Sequence, residues 1–70
     1  MILDLRSEKC PMNLVRAKLA LDKIEVLNTL DIYVDTGESC DNVSQSLLAE
    51  GHDVLKIFYK DYVKLIVRKR

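Results

Sequence analysis

Residues 8–21 read EKCPMNLVRAKLAL, and the fold turns on how this run is read. Pro11 suits the first position of a helix, where its missing N–H costs nothing and its fixed φ is already helical. From Leu14 onward, Leu14, Ala17, Ala20, Leu21 and Ile24 recur at the i, i+3, i+4, i+7 spacing of one helix face. Arg16, Lys18, Asp22, Lys23 and Glu25 fall away from that face. The run therefore predicts an amphipathic helix that buries one side.

Strand candidates flank it. Residues 2–5 (ILDL) form a short one, and residues 30–35 (LDIYVD) alternate with β-branched and aromatic members. A strand, a crossover helix and a second strand favour a parallel, right-handed unit. Thr36-Gly37 ends the second strand, and Ser39 or Asp41 is placed to cap a second helix reaching about Glu50. Val43, Leu47 and Leu48 form its expected apolar face, and Gly51 is its natural stop. Residues 53–60 (DVLKIFYK) and 62–69 (YVKLIVRK) follow as a hairpin, with Val63, Leu65 and Val67 on one face. The expected order is β-α-β-α-β-β, an α/β (α+β) two-layer sandwich with a four-stranded mixed sheet and two helices on one face. Lys56, Lys64 and Arg68 are assigned to the open face of the sheet. Residues 1–70 are read as a single domain.

Composition narrows the function classes. Hydrophobic residues make up 49% and charged residues 31%, a globular balance. Eleven basic residues match eleven acidic ones, which argues against direct nucleic-acid binding and against an acidic membrane surface. Arg68-Lys69-Arg70 reads as a solvated basic tail. No run is long enough to span a bilayer, and MILDLRSEK carries charges where a signal peptide needs apolar residues. These features lead us to expect a cytoplasmic protein with its two cysteines, Cys10 and Cys40, reduced.

Cys10 is the candidate reactive residue. With Pro11 first in the helix, Cys10 takes the cap position, close to the N–H groups of Met12 and Asn13 and to the positive end of the helix dipole. Both favour a thiolate. Lys9 and Arg6 would add positive charge nearby. Ser, Thr, Asp and Asn are the ordinary caps, so a cysteine here is informative, although a buried cysteine packing as a small hydrophobe is the plain alternative.

The segment Leu3-Asp4-Leu5-Arg6, then Cys10-Pro11 opening an amphipathic helix, resembles the TusA-like (SirA-like) sulfur carrier family. The resemblance runs on through Asp35, Asp41-Asn42-Val43, Gly51-His52-Asp53-Val54 and Ile66-Val67-Arg68-Lys69, nearly the whole chain. Ser7-Glu8 stands where that family usually has Gly-Leu, and Asn13 stands where the second proline of its Cys-Pro-X-Pro motif is usual. The resemblance implies a β-α-β-α-β-β fold and a sulfurtransferase role. Cys10 would accept sulfur as a persulfide from a cysteine desulfurase or rhodanese-like donor and pass it to an acceptor protein. It implies no cofactor and no metal. Its products range from a thiolated tRNA base to a cofactor sulfur or a selenium pathway. Arg6, Lys9, Pro11, Met12 and Asn13 are the expected supporting residues.

Three further residues qualify this picture. Val15 and Leu19 lie opposite the core stripe and suggest a docking patch for donor or acceptor, though stray exposed apolar residues are common. Cys40, at the start of the second helix, would come near Cys10 if the first two strands are parallel, and a thiol switch would follow; an incidental cysteine is the plainer reading. A binding or regulatory module without transfer activity is the remaining alternative. His52 has no Cys-X-X-Cys or second His beside it, so it reads as a surface residue and not a base or ligand.

Overall fold

A computed structural model describes residues 2–9 and 11–70. The elements are β1 (Ile2–Asp4), α1 (Met12–Asp22), β2 (Thr29–Asp35), α2 (Glu38–Ala49), β3 (Asp53–Phe58) and β4 (Tyr62–Arg68). They form one four-stranded sheet in the order β1-β2-β4-β3. β1 runs parallel to β2, and β4 is antiparallel to both β2 and β3. The expected order and mixed sheet are therefore present, with the last strand at the centre. Among the described residues, no helix is long and apolar enough to cross a membrane.

The alternation in β2 and β4 explains that centre. Leu30, Ile32 and Val34 pair with Val67, Leu65 and Val63, and all six are fully buried. They make the floor of the core. Ala17, Ala20 and Leu21 of α1 and Cys40, Val43 and Leu47 of α2 close it from above. The two alanines let α1 lie close to the sheet. Leu5 is fully buried beyond the end of β1, and its N–H continues the ladder to the Tyr33 carbonyl at 2.7 Å.

Several expectations shift. The buried stripe of α1 starts at Asn13, fully buried, while Leu14 is only half-buried. Pro11 is the cap of α1 and not its first helical residue, and neither Pro11 nor Gly37, the cap of α2, offers a side-chain acceptor. Ser39 and Asp41 accordingly lie inside α2. Leu48 is 51% exposed, because about 100° of rotation per residue carries it past the edge of the stripe that ends at Leu47. Gly51 does stop α2. With φ +94°, it donates to the Leu48 carbonyl at 3.0 Å, and His52 donates to the Leu47 carbonyl at 3.2 Å, the paired bonds of a Schellman end.

The outer face also differs. Lys56 sits opposite Leu65 in the β3–β4 register, and directly opposed residues share a face. Lys56 is therefore on the helix side, its Nζ 3.9 Å from Asp41 of α2, where a long stem at an edge strand can reach water. Lys64 and Arg68 do lie on the open face, Lys64 at 3.7 Å from Asp31. The basic end is not a free tail. Lys69 donates to the Ile24 carbonyl at 2.8 Å, and the Arg70 guanidinium meets Asp53 at 2.6 Å.

Ser7 occupies the left-handed region at φ +71°, a conformation that costs an L-residue about 1–2 kcal/mol. Its N–H donates to Asp35 Oδ2 at 2.8 Å, tying the β1–α1 loop to the end of β2. Ser7→Gly keeps that bond and relieves the backbone. Unfolded-state entropy returns about 0.4–1 kcal/mol of the gain. A calorimetric scan should show a melting temperature about 2–5 °C above the native chain, with Ser7→Ala showing no rise.

Candidate functional site

Because β1 and β2 are parallel, α1 and α2 both begin at the same end of the sheet. Cys10 itself lies outside the described residues, and so does its expected capping role. The turn that follows it is described. Pro11, at φ −92° and ψ 1°, leads into α1, and its carbonyl accepts from Val15 N–H at 3.0 Å. Lys9 contributes its carbonyl, which accepts from Asn13 N–H at 3.1 Å. That backbone donor, expected to face a sulfur anion, is thus already engaged. Asn13 Oδ1 accepts from Leu14 N–H at 2.7 Å. Asn13 Nδ2 is buried with no partner among the described residues.

Arg6 is committed elsewhere. Its guanidinium makes two bonds to the Asp4 carboxylate, at 3.0 and 2.9 Å. It also stacks 5.1 Å from the ring centre of Tyr62 and 5.9 Å from that of Tyr33. Asp4 and Tyr33 are register partners on the open face, away from the helices. Arg6, one of the expected supporting residues, is thus ion-paired with Asp4 on the open face of the sheet. The side-chain bonds from Arg6 hold the Asp4 carboxyl down to about 2, with its backbone N–H adding to the effect. The carboxylate's contribution is present above the ordinary carboxylate range and is lost as pH falls through about 2.

Tyr62 anchors an aromatic cluster that sequence reading missed. Its ring stacks on Tyr59 at 4.8 Å and meets Tyr33 edge-on at 5.5 Å. A surface cleft of about 430 Å³ opens beside it, lined by Asp4, Arg6, Ser7, Asp35, Asp61 and Tyr62. The outward position of Tyr33 in LDIYVD was the available signal, since its alternation places it opposite the buried set.

α1 carries the other surface feature. Val15 is 43% exposed and Leu19 56% exposed, as expected, and Met12 at 53% joins them on the same flank. The i, i+3, i+7 spacing makes one stripe that begins two residues after Cys10. A shallow groove of about 210 Å³ meets it only at Leu19 and is otherwise lined by Leu3 of β1, Arg16 and Ala20 of α1, and Lys23, the residue after α1. Arg16 is paired with Glu8, and Lys18 with Glu50 at 2.9 Å.

The remaining candidates are structural in character. Cys40 is buried in the core, and burial pushes its thiol pKa up, opposed in part by Lys56. A thiol so placed is a poor nucleophile. His52 is half-buried, and its Nδ1 accepts from Arg70 N–H at 3.1 Å. Among the described residues, no group of three or more His, Cys, Asp and Glu could hold a metal ion.

Comparison with known proteins places this architecture. Residues 1–69 match the family model described as Sulfurtransferase TusA. A protein of Archaeoglobus fulgidus named "Putative sulfur carrier protein" is 32% identical over 71 aligned positions, covering 97% of this chain and 81% of its own. The crystal structure of a SirA-like protein from Desulfitobacterium hafniense superposes with a TM-score of 0.83 at 21% identity, covering 97% of this chain and 96% of that one. At that identity the likeness speaks for the fold.

Proposed function

We propose that this chain, which belongs to the sulfurtransferase TusA family, carries sulfur on Cys10 as a persulfide and hands it to a partner protein. The observation that carries the proposal is the position of Cys10-Pro11 immediately before the first turn of α1, in a chain that matches the family from end to end. The positive end of the helix dipole favours a thiolate there and, after loading, a persulfide anion.

The chemistry is sulfur exchange. The Cys10 thiolate attacks the outer sulfur of a persulfide on a donor such as a cysteine desulfurase or rhodanese-like protein. A sulfur–sulfur bond forms at Cys10 as the donor's own breaks, and the donor cysteine leaves as a thiolate. The same exchange, with the acceptor's thiolate attacking, empties the carrier. No net oxidation occurs, so no metal, cofactor or acid–base triad is called for. Pro11 fixes the entry into α1, Met12 and Asn13 form its first turn, and Lys9 supplies positive charge beside the thiol. We assign residues 1–70 to one carrier domain working in the cytoplasm. The burial of Cys40 favours a carrier with one working thiol over a two-thiol switch.

The test is labelling. Incubation with a cysteine desulfurase and ³⁵S-cysteine should leave label on the native chain that dithiothreitol removes. Cys10→Ala should take none. Equal labelling of the two would contradict the proposal.

A further inference from the structure

The sheet has two outer strands, β1 and β3, and they are finished differently. β3 turns Lys56 toward the helix side, and an inward charge of this kind keeps a further strand from adding to an edge. β1 has no such guard. Its one charged residue, Asp4, lies on the open face and is ion-paired with Arg6. Leu5 N–H bonds across to β2, and main-chain groups alternate in direction along a strand. The N–H and C=O groups of Ile2 and Asp4 therefore point outward, with no strand beyond them among the described residues. On the helix side of this edge lies the groove of about 210 Å³. Leu3, Leu19 and Ala20 give it an apolar floor, Arg16 and Lys23 give it a basic rim, and no carboxylate lines it. Lys23 makes no salt bridge among the described residues.

We propose that this edge takes an extended, acidic segment of a partner protein as a fifth strand beside β1. The segment carries one apolar residue with an acidic residue two places away on either side. Strand residues two apart share a face, so all three side chains turn toward the groove. The apolar one sits on Leu3, Leu19 and Ala20, and the carboxylates face Arg16 and Lys23. The outward groups of Ile2 and Asp4 supply main-chain hydrogen bonds, and the groove supplies the selectivity. Charge complementarity decides the occupant. In a second copy paired edge to edge about a two-fold axis, each basic rim would meet its own image, and a three-residue strand offers little to offset that. The site lies outside the carrier chemistry and needs no sulfur on Cys10, so a chain that takes no sulfur would leave it intact.

The probe is a peptide blocked at both ends, Thr-Glu-Thr-Val-Thr-Glu-Thr, titrated into the ¹⁵N-labelled native chain. Amide resonances of residues 2–5 and 16–23 should move together and saturate, and Asp4 N–H should become slower to exchange with solvent. The same peptide with lysine in place of glutamate should bind about 5–10-fold more weakly. Lys23 is exposed, so Lys23→Glu keeps the fold. It should weaken the glutamate peptide by about 5–10-fold and strengthen the lysine peptide. Three results would each overturn the proposal: no saturable shift of those amides, equal affinity for the two peptides, or shifts confined to the open face around Tyr33 and Tyr62. So would movement of the same amides on dilution of the peptide-free chain, since a second copy would then be the occupant.

Discussion

Leu65→Ala is expected to lower the melting temperature by about 10–30 °C and to leave part of the population unfolded at ambient temperature. Leu65 lies on the central strand β4, fully buried, opposite Ile32 of β2 and Lys56 of β3. Removing its side chain loses the transfer free energy of the buried carbons and leaves a cavity that the sheet cannot collapse to fill, a cost of about 2–5 kcal/mol. A folded chain of this length holds roughly 4–10 kcal/mol in all. One substitution thus removes a large share. Leu55→Ala is the control. Leu55 sits on the neighbouring strand with 59% of its surface exposed, and its loss should shift the transition by only a few degrees. Circular dichroism melts of the two variants check the point. Equal, small shifts would mean that the core is not centred on β4.

The second large effect concerns transfer. Val15→Asp with Leu19→Asp should slow loading from a protein donor by about 10–100-fold in kcat/KM, because two carboxylates must then be desolvated in an apolar contact. Loading from a small persulfide such as that of glutathione should be unchanged, since no surface is buried. Both side chains are about half exposed, so the melting temperature should hold. A rate from the protein donor equal to that of the native chain would remove this flank of α1 from the docking surface.

How much of this could be read in advance follows from the physics of each element. β2 and β4 alternate cleanly, so their faces were plain, and the two-layer sandwich followed. β3 does not: Val54, Leu55, Ile57 and Phe58 put apolar residues on both faces, and only the pairing register shows that Lys56 belongs with the helices. Helix starts were displaced by about one to four residues, because backbone carbonyls such as Lys9's satisfied donors that a capping side chain was expected to take. At the site, the Cys10-Pro11 pair and the Val15 and Leu19 flank were visible as residue types at helical spacing. Asn13 was read for its backbone donor, whereas its buried side chain depends on the three-dimensional position of the stripe. Arg6 was read as a charge near the thiol. Its pairing with Asp4, at the end of β1 on the open face of the sheet, needed the fold to be seen.

The most direct measurement is the mass of tryptic peptides from chain loaded by a cysteine desulfurase without reductant. Trypsin separates Cys10, in residues 10–16, from Cys40, in residues 24–56. The account predicts one added sulfur atom on the 10–16 peptide, removed by dithiothreitol, with the 24–56 peptide unmodified. An added sulfur on the Cys40 peptide, or none on either under conditions where the desulfurase charges a known acceptor, would contradict it.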